Sequence, residues 1–204
     1  MMMRVAGADL LPEEFGNLSE TSRGYVGELK SLRDSIAKRI EELNRQIAEG
    51  DFRIVNDPRR PMQQPKGEAP APAINFAPLD NASDALDQAA ARFEKAYGAL
   101  PTSGATATSL AQVNALLRQS DQMLLLPEGL PKRPWYKHSL YAPGYYTGYG
   151  VKTMPGAREA IEQKDWKLAE GEIVRIAAAL MRESELVIRA AGLLEKATDT
   201  RTIP

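Results

Sequence analysis

Residues 165–197, DWKLAEGEIVRIAAALMRESELVIRAAGLLEKA, carry apolar side chains in two registers of one helical period. One stripe is Trp166, Ala169, Ile173, Ile176, Leu180, Val187, Ala191 and Leu194; the second, about 100° round the helix, is Val174, Ala178, Met181 and Ile188. An apolar arc that wide calls for burial on two sides. Within one chain this segment would be the central helix of a bundle. The competing reading presses one of its faces against a second subunit. Trp166, Ile173, Val174, Ile176, Leu180, Met181, Val187 and Ile188 are accordingly candidates for core or dimer interface.

The segments upstream suit a partner of that kind. From Leu18 to Glu49, Tyr25, Leu29, Leu32, Ile36, Ile40, Leu43 and Ile47 recur at steps of three and four, with Arg33, Lys38, Arg39, Glu41, Glu42 and Arg45 between them and Gly50 as a natural stop. At 1.5 Å per residue such a helix is about 45 to 50 Å long. Its apolar steps do not hold the strict heptad of a coiled coil. A second helix is expected from Ser83, as N-cap, to Tyr97, and a third carries Leu110, Val113, Leu116, Leu117, Met123 and Leu124 up to Pro127. Between the first two, residues 57–78 lose the period and contain Pro58, Pro61, Pro65, Pro70, Pro72 and Pro78. That is an extended linker: either a plain exposed connection or an arm lying across a partner. The expected fold is an all-α helical bundle, with residues 18–204 as the domain and 1–17 as a lead-in or the remnant of a preceding domain.

Composition narrows the chemistry. The 204 residues hold 26 Lys and Arg against 27 Asp and Glu, with the basic residues scattered, so nucleic acid is not an expected partner. No cysteine is present, which removes disulfides, thiol nucleophiles and cysteine-based zinc sites. No apolar run approaches the roughly 18 to 20 residues of a membrane-spanning helix. The amino terminus has Arg4 but no long apolar run behind it, so it does not read as a signal peptide. A piece of a larger protein and a stand-alone chain both remain open.

Residues 130–156 differ from the rest. They run Leu130-Pro131-Lys132-Arg133-Pro134-Trp135-Tyr136-Lys137-His138-Ser139-Leu140-Tyr141-Ala142-Pro143, then Gly144-Tyr145-Tyr146-Thr147-Gly148-Tyr149-Gly150, with Met154-Pro155-Gly156 to follow. Dense in Tyr, Gly and Pro and free of helical period, they predict a structured loop. The pattern Leu-Pro-x-Arg-Pro-aromatic-Tyr-basic-His-x-x-Tyr-Ala-Pro, followed by Pro-Gly, a short helix and a long one, resembles the last part of glutamate carboxypeptidase-type zinc peptidases. That part is named after its counterpart in the transferrin receptor, the transferrin receptor-like dimerisation domain. The resemblance is specific from Leu130 to about Leu194, moderate over Ala8 to Ile47, and absent from the proline-rich region.

The resemblance implies a helical dimerisation domain that is not itself catalytic, forms a homodimer, packs on the peptidase domain of its parent and completes one wall of the substrate pocket. It implies two zinc ions held in the peptidase domain, no cofactor in this chain, and a parent that is exported, periplasmic or membrane-anchored. His138 and Tyr141 are then structural. A Lys-Tyr pair that grips a glutamate side chain in those peptidases falls, counting from Tyr141, on Gly148 and Tyr149. Tyr149 is therefore the candidate substrate-binding residue, and the missing lysine puts glutamate preference in doubt, with Lys152 as the nearby replacement.

The residues themselves agree on the chemistry. Catalytic zinc needs about three protein ligands, and this chain has one His and no His-Glu-x-x-His spacing. His138 adjoins Ser139, but no nucleophile elbow is visible, and Gly144, Gly148 and Gly150 do not make a phosphate-binding fingerprint. A different class stays open: a binding module in which the Tyr-rich loop holds a small carboxylate or a sugar.

Overall fold

The structure is a computed structural model, described here over residues 9–54, 63–100 and 107–199. Among the described residues, seven helices and one two-stranded ribbon follow in the order α1 (Phe15–Glu49), α2 (Asp51–Ile54), α3 (Ala77–Gly98), α4 (Ala107–Leu117), α5 (Ser120–Met123), β1 (Tyr141–Pro143), β2 (Val151–Thr153), α6 (Pro155–Glu162) and α7 (Trp166–Asp199). The all-α expectation holds, with the ribbon inside the loop before α6. Of the lead-in and the proline-rich linker, residues 1–8 and 55–62 lie outside the described residues.

Helix α7 is the axis of the bundle. Its longest packing seam is with α3, and α4, α5 and α6 also lie against it. Ala169, Ile173, Ile176, Ala177 and Leu180 join Val26, Leu29, Ile36 and Ile40 of α1 and Leu79 and Leu86 of α3 in one core cluster. Leu186, Val187, Ala190, Ala191 and Leu194 form a second with Ala89, Ala90 and Phe93 of α3 and Leu110, Val113 and Leu117 of α4. Burying an aliphatic side chain of this size contributes about 1.5 to 3 kcal/mol, and the inner face of α7 supplies several of them to both clusters.

Three boundaries depart from the sequence expectations. Helix α1 starts at Phe15, because the Phe15 ring packs edge-to-face on Phe93 at 5.0 Å and is buried with Leu10. Leu10 and Phe15 thus pack into the helical core. Helix α3 begins at Ala77, six residues before Ser83. Pro78 sits in its first turn, where the missing N–H costs nothing, and Ser83 is a buried mid-helix residue instead of a cap. The third expected helix is broken at Arg118 and Gln119 into α4 and α5. Gly50 ends α1 as expected, in the left-handed region at φ 80°, with its N–H on the Gln46 and Ile47 carbonyls.

The described part of the proline-rich segment, 63–76, is a mostly exposed connection that lies along α1 of its own chain. The Asn44 side chain accepts from the Glu68 N–H at 2.9 Å and donates to the Glu68 carbonyl at 2.7 Å. Arg33 donates to the Pro72 carbonyl, and Lys164 pairs with Glu68. An asparagine amide offers both a donor NH2 and an acceptor oxygen, which suits it to hold an extended backbone that has no strand beside it.

Candidate functional site

Two features stand out from the bundle: the aromatic loop and one exposed helix face. The loop is built on a buried ion pair. Arg133 Nη2 donates to both Glu159 oxygens at 2.9 Å, and both side chains are almost wholly excluded from solvent. Glu159 Oε1 also accepts the Tyr145 N–H at 2.7 Å, so one carboxylate ties the 130s segment, the turn after β1 and α6 together. The Arg133 guanidinium lies 5.9 Å from the centres of both the Tyr136 and Tyr145 rings. Breaking such a pair strands a buried charge, which makes it a strong fixing point for the loop.

Around this anchor, Tyr141 pairs with Thr153, Ala142 with Lys152 and Pro143 with Val151 in an antiparallel register. Met154 closes the ribbon through its N–H on the Leu140 carbonyl at 2.7 Å, in a left-handed conformation at φ 43° while fully buried. Arg133, Trp135, Tyr136, Pro143, Tyr145 and Tyr149 line an open concavity of about 380 Å³. Trp135 and Tyr146 are largely exposed and Tyr149 wholly so. Gly148 takes φ 60°, a left-handed conformation that favours glycine.

Lys152, the nearby cation of the loop, pairs with α6. Its ammonium donates to Glu162 at 2.6 Å and is thereby committed to α6. Lys132 donates to Gln163 and stands 5.7 Å from the Tyr145 ring centre. The concavity is thus aromatic, with the guanidinium beneath it already neutralised by Glu159.

His138 is not part of the lining of this concavity. Its ring stacks on Tyr141 with centres 4.0 Å apart, and Nδ1 accepts the Leu140 N–H at 3.2 Å. Burial holds its pKa below the ordinary histidine range, against the opposing field of Asp121. An acceptor Nδ1 places the neutral ring's proton on Nε2, which is buried without a partner in the structure. The Ser139 hydroxyl is likewise unpaired, so the adjacent Ser and His do not form a nucleophile and base. Among the described residues, no group of three or more His, Asp or Glu comes together as a metal could require.

The second feature divides the α7 candidates. Ile173, Ile176, Leu180 and Val187 are fully buried in the bundle, and Trp166 packs half-buried at its edge. Val174, Met181 and Ile188 face outward, exposed by 56%, 40% and 40%. Ala178 and Glu185 lie between them on the same exposed face. Glu159 had escaped sequence reasoning as a site residue. The signal available was a carboxylate in the short segment 157–161, where its neighbours Ala157, Ala160 and Ile161 are apolar and all buried.

Comparison with known proteins places this geometry. A probable glutamate carboxypeptidase of Arabidopsis thaliana is 32% identical over 90 residues, covering 41% of this chain and 13% of that protein. One of Arthroderma benhamiae is 33% identical over 87 residues, covering 43% of this chain and 11% of its own length. The match therefore spans only a small part of the relatives' length. The family model of the transferrin receptor-like dimerisation domain matches residues 74–188, from the end of the extended segment through both the aromatic loop and the exposed face of α7, and the chain belongs to that family.

Proposed function

We propose that this chain is the non-catalytic homodimerisation domain of a glutamate carboxypeptidase-like zinc metallopeptidase, and that its aromatic loop borders the substrate pocket of the parent. The carrying observation is the family match over 74–188 together with the outward row of Val174, Met181 and Ile188, an apolar face that the monomer leaves in water. Exposed apolar rows of this kind are a usual mark of association surfaces. In this reading the peptidase domain of the parent holds the zinc ions and performs the hydrolysis, and this chain supplies no ligand to them.

Light scattering across a hundredfold range of concentration tests the association. The expected result is a stable mass near twice 22.4 kDa. A mass of one chain throughout would overturn autonomous dimerisation.

A second reading, a small-ligand module on the aromatic loop, is favoured by one observation only, the concavity beside Trp135, Tyr136 and Tyr149. With Arg133 and Lys152 both paired, stacking on an uncharged ring such as a sugar suits it better than a carboxylate. Quenching of Trp135 fluorescence by a neutral oligosaccharide and not by glutamate is the expected signature; no response to either sets this reading aside.

A further inference from the structure

The exposed face of α7 has an internal order that the dimer reading does not use. Gly171, Val174, Ala178, Met181, Glu185 and Ile188 follow one another at alternating steps of three and four, and all six are exposed. That is the spacing at which one helix interlocks with another, knobs into holes. Two of the six positions are small and the other four carry long or branched side chains. Gly171 and Ala178 are small, whereas Val174, Met181 and Ile188 are large, and a Cβ added at Gly171 would meet open space.

Two copies of such a row can meet in two ways. Laid parallel, like positions face each other: Gly171 meets Gly171, Ala178 meets Ala178, and Glu185 meets Glu185. This leaves gaps at the small layers and sets two carboxylates against each other. Laid antiparallel about a two-fold axis beside the Ala179–Leu180 peptide, Gly171 faces Ile188 and Ala178 faces Met181 of the second copy. Ile188 and Met181 then enter the spaces left by Gly171 and Ala178. Val174 lies under the stem of the opposing Glu185, whose carboxylate comes level with Arg175, a guanidinium still 30% exposed while it holds Glu172 and Glu128. Small residues in alternate layers also allow axes to approach near the close end of the usual 8 to 10 Å range.

We infer that the second copy of this chain docks on α7 in antiparallel orientation, with Gly171–Ile188 and Ala178–Met181 as its layers. This rests on the homodimer reading above and adds its orientation and register. The packed row runs from Gly171 to Ile188, about 25 Å of helix at 1.5 Å per residue.

The absence of native cysteine makes the test direct. Gly171→Cys and Ile188→Cys are made as separate variants, checked for unchanged helicity, and oxidised alone and as an equimolar mixture. In the proposed arrangement, two copies of Cys at 171 are about 25 Å apart and cannot be bridged, whereas 171 and 188 of opposite copies come within disulfide reach. The expected result is a linked dimer in the mixture at about tenfold or more the level of either variant alone, given that steep geometric limit.

Self-linking of Gly171→Cys would overturn the antiparallel orientation. A solution mass of two chains without linking in any sample would overturn this face as the interface. In both cases the homodimer reading itself stands. A mass of one chain at every concentration would instead remove that reading, and this inference with it.

Discussion

Helix α7 carries two apolar faces that look alike in one-letter code and differ completely in surroundings. Ile173, Ile176, Leu180 and Val187 are sealed between α1, α3 and α4, while Val174, Met181 and Ile188, one position away round the turn, stand in water. Periodicity reports that both faces need cover. Which one the chain covers itself depends on where the other helices fall. The inner face should therefore govern folding and the outer face association, and each substitution below is a way to break that division.

The largest effect is expected on the inner face. Leu180→Ala removes a fully buried side chain in the first core cluster and should cost about 2 to 5 kcal/mol, depending on how far the site collapses. Urea unfolding checks it, and a loss below 1 kcal/mol would mean that the inner stripe is not the main core.

Glu183 sharpens the same contrast, because it is a carboxyl buried on the inner side. Oε1 accepts from the Ser120 hydroxyl at 2.5 Å and Oε2 has no partner in the structure. Burial is the main reason its pKa is pushed up to about 7; the Ser120 hydrogen bond opposes this, and the fields of Asp121 and Glu13 add to it. The folded chain thus holds a proton that the unfolded chain releases near pH 4.5. Stability from this group is fully present below about pH 4.5 and is lost as pH rises through about 7, amounting to about 3 kcal/mol at 1.36 kcal/mol per unit. Glu183→Gln should flatten that decline and be the more stable protein at pH 8. Equal slopes of stability against pH for the two proteins would show that Glu183 is not the group responsible.

What could be read from the sequence divides along physical lines. Repeating apolar spacing located α1 and α7 because each turns an apolar stripe to the core, and Gly50 marked the end of α1 because the left-handed turn there favours glycine. The start of α3 was hidden, since Pro78 breaks a helix interior but is welcome in a first turn. The docking of 63–76 on α1 depends on Asn44 meeting a backbone 24 residues away, which no local pattern encodes. In the aromatic loop, the Arg133 motif was visible but its partner Glu159 was not, because a carboxylate on a short helix ordinarily faces solvent. The Lys152–Glu162 pair was hidden for a similar reason: nearness in sequence did not announce that Glu162 would capture it.

The smallest effect on folding is expected on the outer face, and it separates the two halves of the comparison most sharply. Val174→Ser and Ile188→Ser trade exposed apolar area for a hydroxyl without opening a cavity, so each should change monomer stability by no more than about 0.5 kcal/mol. If the face is covered by a second copy, every such substitution acts twice in a symmetric dimer, once on each side of the axis. The double variant should then dissociate at concentrations where the parent sequence stays paired, with its unfolding midpoint in the monomer unmoved. A matching loss of monomer stability would show that the outer row belongs to the fold of the single chain, and the separation of roles along α7 would fail.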